Sequence, residues 1–367
     1  NIRKKNFWRF SGNEQKYVSQ IFKRGFKFKD KPFSEKLENK FSKIHKVNYS
    51  ICINSCTSAL HVAFLAIRLK KYDEVLVPAL TPIMCGTTVH LAGGTPVYVD
   101  VNPETFLIDI SDIKKKITNK TRAILAVHMY GGVCNLKKLK KICKDNNLYL
   151  IEDCAEALGA KYKDRLVGLD FDCSCHSFFA NKTITTGEGG MVVFKDSSFA
   201  DIARKIMNHG MSEKYKYKHD LVGSNYRMTN LQAAVGVAEI KRVETYLDER
   251  KLIFKNYNNV LKNFSNIVLL PNNDWSENSY WLYTFAIDDI IEKERNDLII
   301  KLSKQGIECR PGFTSLSKMR PYEKYVHGKF EISNYFSDKT ISLPSSKLTK
   351  SDQDFILEKL TKELEIR

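Results

Sequence analysis

Residues 122–153 read RAILAVHMYGGVCNLKKLKKICKDNNLYLIED. Arg122–His128 is a nearly continuous apolar run, as a buried strand requires. Leu136–Asp145 reads as a helix. Leu148–Asp153 is a second apolar run, closing on the acidic pair Glu152-Asp153. The same alternation extends upstream. EVLVPAL, 74–80, is a strand with a helix after it through Val89. PVYVDV, 96–101, is a strand, and Ser111–Ile117 a helix. Apolar strands separated by helices indicate a mostly parallel sheet covered on both faces, an α/β fold.

Beyond this block the pattern changes. Ser55–Lys70 reads as a helix, with Leu60, Phe64 and Ile67 at helical spacing and Ser55 or Thr57 available as cap. Ser174–Phe179 and Met191–Phe194 read as shorter strands joined by a Gly-rich loop. Asn230 to about residue 263 reads as one long helix, almost free of Gly and Pro. Further on, Tyr280–Asp288 and Ile307–Arg310 read as strands and Arg295–Gln305 as a helix. The last helix begins near Thr349, with Ser351 as its cap. The expected organisation is an N-terminal arm with one short helix over 1–45, a large α/β domain over 46–245 and a smaller C-terminal α+β domain over 246–367.

The 367 residues carry 59 Lys and Arg against 42 Asp and Glu, a formal charge of +17. The excess is mostly Lys and runs from end to end. It forms no stripe with interleaved aromatics, so a nucleic-acid binder is not indicated. A basic surface does favour anionic substrates. With 43% hydrophobic residues the chain can bury a full core. No apolar run approaches the roughly 18 residues that span a bilayer. NIRKKNFWRFSGNEQ lacks the apolar centre of a signal peptide, so a cytoplasmic location is expected. The nine cysteines are scattered, with no CxxC pair and no zinc-type His/Cys spacing, so no metal site is expected. They read as small buried hydrophobes.

Three features sit at ends of sheet elements, where open α/β sheets place ligands. Asn54-Ser55-Cys56-Thr57-Ser58 precedes a helix, whose first N–H groups attract anions. The same residues are also ordinary helix caps. Glu152-Asp153 ends a buried strand; it could face a metal, a ribose or a cationic ring nitrogen, or serve as a structural cap. Lys182 stands in SFFANKTITTGEGG, 177–190, between apolar residues and a Gly-rich turn. A lysine in a dry crevice loses its charge readily and becomes a Schiff-base nucleophile. An anion hole, a carboxylate and a crevice lysine together are what pyridoxal phosphate requires. The phosphate goes to the helix N-terminus, the aldehyde to Lys182 and the ring nitrogen to Asp153.

The chain also resembles a known family from about residue 25 to its end. The markers are NSCTSALH, EVLVPALT, HMYGG, IEDCAEALGA, HSFFANKTITTGEGGMVVF, NHGM, SNYRMTNLQAA, YWLY and GIECRPGF. They are similar to those of the fold-type I, pyridoxal-phosphate-dependent nucleotide-sugar aminotransferases, the DegT/DnrJ/EryC1/StrS family. NKTITTGEGGM with SNYRMTNLQAA looks most like perosamine-synthase-type enzymes. The resemblance implies transfer of an amino group, with L-glutamate as usual donor, to C4 of a nucleotide-linked 4-keto-6-deoxyhexose for surface glycan or O-antigen.

By that resemblance Lys182 is the cofactor-binding lysine and acid/base, and Asp153 pairs with the ring nitrogen. Thr57, Ser58 and Ser177 hold the phosphate. Asn225 reaches the cofactor phosphate of the other subunit, so the active site is shared across a homodimer. Glu156 lies beside the ring's 3-hydroxyl, which requires it to be protonated or turned towards Lys182 or substrate. His219 and Arg310 are expected near the substrate sugar. His128 and Tyr130 read as packing residues, and Trp281 as small-domain core. One departure stands out. Many relatives have a stacking aromatic after the strand EVLVPALT, where this chain has Pro82, Ile83 and Met84. Three rivals remain: a C3-aminotransferase, a dehydratase, and a non-enzymatic binder of anionic surfaces or nucleic acid. The dehydratase variant carries His in place of the lysine, and Lys182 argues against it.

Overall fold

Seven strands form the central sheet: β1 (Tyr49–Ile53), β2 (Glu74–Pro78), β3 (Thr95–Val99), β4 (Thr121–Val127), β5 (Tyr149–Asp153), β6 (Cys173–Ser177) and β7 (Gly190–Phe194). In this computed structural model residues 12–24, 32–169 and 171–365 are described. The sheet order is β1-β7-β6-β5-β4-β2-β3. From β6 through to β3 every pairing is parallel, while β7 runs antiparallel to both β6 and β1. This is the expected mostly parallel α/β sheet. The apolar strands are buried throughout because helices cover both faces.

The register decides where chemistry can happen. β4, β5 and β6 end side by side at Val127, Asp153 and Ser177. β7 begins there, with Gly190 opposite both Ser177 and Ile53. One edge of the sheet therefore gathers the ends of three strands, the start of β7 and the exit of β1. That is the edge where open α/β sheets bind ligands.

A second core lies in the C-terminal part. An antiparallel sheet in the order Ile267–Leu269, Tyr283–Ile287, Thr340–Leu343, Arg310–Pro311 packs against helices Val243–Leu261, Glu292–Lys304 and Lys350–Glu365. Among the described residues no helix is long and apolar enough to cross a membrane.

Five local expectations are corrected. Among the described residues of the first 45 there are two helices, Glu14–Arg24 and Pro32–His45, where one was expected. Phe33, Leu37 and Phe41 of the second are buried against Ala233, Ala234 and Val237. β1 was not anticipated, because YSICI is short and preceded by polar residues. The long helix after Asn230 is broken into Asn230–Glu239 and Val243–Leu261 by a 3₁₀ turn at Ile240–Arg242; no Gly or Pro marks it. Ile307–Arg310 is not a strand; only Arg310–Pro311 pairs, with Ile341 and Ser342. The last helix is capped by Thr349, not Ser351. Thr349 Oγ1 accepts from Asp352 N, and Asp352 accepts from Thr349 N.

Candidate active site

A cavity of about 370 Å³ opens at the strand-end edge, within the size range of small-molecule sites. Thr57, Pro82, Asp153, Glu156, Ser177 and Lys182 all line it, with Phe179, Trp281 and Phe313. These residues come from separate strands and loops, and the register brings them together.

The anion end is built by helix Cys56–Ala66. Ser55 is its N-cap, with extended backbone and Oγ accepting from Ser58 N at 3.1 Å. Ser55 Oγ also lies 3.0 Å from Ser58 Oγ. Thr57 and Cys56 line the cavity; Ser58 does not. The helix start is pressed on β7. A Cβ on Gly190 would lie 2.9 Å from Cys56 N and 2.8 Å from His176 O, so only glycine permits this approach.

Glu152 and Asp153 are consecutive on β5 and point to opposite faces. Glu152 turns away from the cavity. It accepts from His128 Nε2 at 2.8 Å and from Gly168 N, and Cys134 N donates to His128 Nδ1. His128, Glu152 and Cys154 are buried and close enough to suggest a metal group. These hydrogen bonds already occupy the His128 nitrogens and a Glu152 oxygen, so the group is structural. Asp153 faces the cavity. It accepts from Ala155 N at 2.9 Å and from Cys85 Sγ at 3.4 Å. Burial pushes its carboxyl above the ordinary value, against those donors and the pull of Lys182.

Lys182 Nζ stands 3.8 Å from Glu156 Oε1 and 3.5 Å from the centre of the Trp281 ring. Its side chain is only 12% exposed. Burial lowers its affinity for a proton, while Glu156 and Asp153 raise it. Glu156 Oε2 accepts from Tyr130 N at 2.7 Å, whereas its buried Oε1 has no hydrogen-bond partner. Burial pushes the Glu156 carboxyl up to about 7, against Lys182 and the Tyr130 N–H. The expected tension at Glu156 takes this form: it turns towards Lys182 and holds its proton unusually well.

Trp281 is a correction. It joins the main core rather than the small-domain one, lines the cavity and donates from Nε1 to Asn181 O at 2.9 Å. Pro82 and Met84, from the stretch noted as a departure from the relatives' stacking aromatic, both line the cavity. Tyr130 is a packing residue, stacked on Phe313 and accepting its N–H at 3.0 Å.

Besides Ser58, three expected site residues lie outside the cavity of their own chain. Asn225 is exposed. Its carbonyl accepts from Asn54 Nδ2 at 3.3 Å, and Tyr226 O accepts from Asn54 N. Its segment is thereby fixed beside the entry to helix Cys56–Ala66. His219 is exposed, with Nδ1 2.9 Å from His209 O. Arg310 is exposed and donates to Glu308 at 2.8 Å.

Comparison with known proteins gives this geometry its family. The model of the DegT/DnrJ/EryC1/StrS aminotransferase family matches residues 9–361. The chain belongs to that family. It is 37% identical to the GDP-perosamine synthase of Vibrio cholerae over 335 residues, 91% of each chain. It is 38% identical to that of Escherichia coli O157:H7 over 347 residues, 94% of this chain and 93% of the other. Spr1654 of Streptococcus pneumoniae, solved in PLP and PMP forms, superposes with TM-score 0.90 at 26% identity over 96% of each chain. The chain is a pyridoxal-phosphate-dependent sugar aminotransferase with the expected fold.

The cavity fits the cofactor. A buried carboxylate, a lysine of lowered basicity and a capped helix start surround it. Glu156 Oε1, paired with Lys182 Nζ at 3.8 Å but without a hydrogen bond, is a buried polar atom with room for a donor.

Proposed function

We propose that this aminotransferase moves an amino group from L-glutamate to C4 of a nucleotide-linked 4-keto-6-deoxyhexose. The product is a perosamine- or viosamine-type sugar nucleotide for glycan or O-antigen synthesis. The observation carrying the reading is Lys182, nearly buried between Glu156 and Trp281 in the cavity that Asp153 lines. The extended likeness to two proteins named GDP-perosamine synthase supports the C4 ketone and favours GDP as the nucleotide.

Bound pyridoxal phosphate supplies the aldehyde that takes up an amine and the ring that accepts electrons when a neighbouring C–H bond breaks. Asp153, buried and anionic, stabilises a proton on the ring nitrogen. Thr57, Ser58, Ser177 and the first N–H groups of helix Cys56–Ala66 hold the phosphate. Lys182 Nζ, once free, takes the proton from the donor's α-carbon and returns a proton to the sugar carbon. Glu156 keeps Lys182 close and offers Oε1 to the 3-hydroxyl. Trp281 and Phe179 exclude water, which favours the neutral amine of Lys182. Pro82 and Met84, which line the cavity, would offer the ring an aliphatic surface in place of a stacking aromatic.

The site is shared in a homodimer, with Asn225 reaching the cofactor phosphate of the second subunit and His219 and Arg310 near the sugar. The domain organisation is an arm over 1–45, a cofactor domain over 46–245 and a small domain over 246–367.

The test is a panel of GDP-, UDP- and dTDP-linked 4-keto-6-deoxyhexoses with L-glutamate, scored by the mass of the product. Conversion of the GDP compound, with 2-oxoglutarate released, is expected. The panel includes a 3-keto sugar nucleotide, and turnover of that compound alone would overturn the C4 assignment.

A further inference from the structure

Arg250 has no part in the scheme above and does not line the cavity. It lies on helix Val243–Leu261, is buried, and makes no ion pair among the described residues. A buried cation without a carboxylate is costly, so its contacts need a reason. They converge on one place. Nη1 donates to Thr183 Oγ1 at 3.0 Å and Nη2 donates to Lys182 O at 3.4 Å. On the other side, Trp281 Nε1 donates to Asn181 O at 2.9 Å. The carbonyls of Asn181 and Lys182 and the hydroxyl of Thr183 are thus held by two side chains of the C-terminal half. The same helix buries Ile253, Phe254, Tyr257 and Leu261 in the second core, so the grip is anchored in that core.

We infer that Arg250 is a positioning residue for the amine of Lys182: its planar fork holds the Lys182 carbonyl and the Thr183 hydroxyl, and so fixes the turn that carries the amine. The inference rests on Lys182 being the cofactor-binding lysine. The groups facing Lys182 are Glu156 at 3.8 Å, Asp153, Cys56, the Trp281 ring and Arg250. The two carboxylates raise its basicity and Arg250 lowers it, in the same direction as burial. Burial lowers Arg250 itself only to about 10, so it stays charged near neutrality. A lysine would keep the charge but lose the fork geometry.

The test uses holoenzyme and the pH midpoint of the visible band given by the lysine-bound cofactor. In Arg250→Met kcat should fall several-fold and the midpoint should rise. In Arg250→Lys it should stay near the parent value, while kcat falls several-fold with KM for glutamate unchanged. A parent-like midpoint and kcat in Arg250→Met, with only thermal stability reduced, would overturn the positioning role. Parent-like kcat in Arg250→Lys would overturn the fork role, and this second variant decides if the first does not fold. Lys182→Ala, run alongside, should lose the band. If it keeps the band, the reading of Lys182 fails first, whatever Arg250 does.

Discussion

Replacing Lys182 by alanine removes the only amine among the residues lining the cavity. The visible band of the cofactor at neutral pH should vanish, and transaminase turnover with it; full turnover would end the assignment of Lys182. Asp153→Asn keeps the shape but removes the charge, and each pKa unit lost by the ring nitrogen is worth about 1.4 kcal/mol. The half-reaction with glutamate should slow by orders of magnitude in single-turnover measurements while cofactor still binds. Glu156 gives a prediction with a sign. Its folded pKa, about 7, exceeds its ordinary 4.5. Between those values the folded state keeps a proton that the unfolded chain releases, so this contribution falls as pH rises from 4.5 to about 7. The span corresponds to roughly 3 kcal/mol as an upper bound. Apoenzyme melting curves should show this decline, and Glu156→Gln should flatten it; equal slopes in both proteins would show that Glu156 is not the titrating group. Of these residues, Lys182 and Asp153 were legible in the sequence, because a lone Lys before a Gly-rich turn and an acid ending an apolar strand are local signals. Trp281 and Arg250 were not. Their neighbours at Asn181–Thr183 lie 67 to 100 positions away in the chain, and an apolar ring or a helix cation gives no local sign of such contact.

At the scale of elements, helix Cys56–Ala66 works because β7 lies close beneath it. In Gly190→Ala the new methyl meets backbone, Cys56 N and Ser55 C at 2.9 Å and His176 O at 2.8 Å, none of which can swing aside. Overpacking of this kind costs about 1–3 kcal/mol. Part of it should appear as displacement of the phosphate-binding turn, giving about a tenfold weaker cofactor Kd. Titration of apoenzyme with pyridoxal phosphate checks this, and an unchanged Kd would show that the turn does not bear on the phosphate. The β/α alternation was readable because the middles of β2 to β5 are apolar, with their polar residues towards the strand ends. Where a tertiary contact made the element, reading failed. β1 takes its partner from β7, some 140 residues on. The break at Ile240–Arg242 follows Glu239, whose carboxylate accepts from Thr185 N and Tyr246 OH; the sequence alone shows neither contact.

At the scale of the whole molecule, the sites of Asn225 and Lys182 decide whether one chain makes an active site. Asn225 is exposed beside Asn54, on a segment tied to the exit of β1 and outside its own cavity. The preceding stretch, residues 211–224, is held by short contacts such as the pairing of Met211 with His219 and leaves Tyr217 and Val222 exposed, the latter at 95%. Exposed apolar side chains on an ordered loop suit burial by a second subunit. If Asn225 completes the neighbour's phosphate site, each cofactor binds two chains, and binding stabilises the dimer because a ligand favours the state that holds it. Complementation separates the cases. Lys182→Ala subunits are mixed with Asn225→Ala subunits under conditions of exchange, after each homodimer alone is shown to be crippled. In a shared site, one site of the heterodimer carries both lesions and the other carries none. Activity should then recover towards half the parent value per heterodimer. If each chain builds its own site, every site keeps one lesion and no activity returns. An Asn225→Ala homodimer with full activity would remove the role of Asn225 under either arrangement.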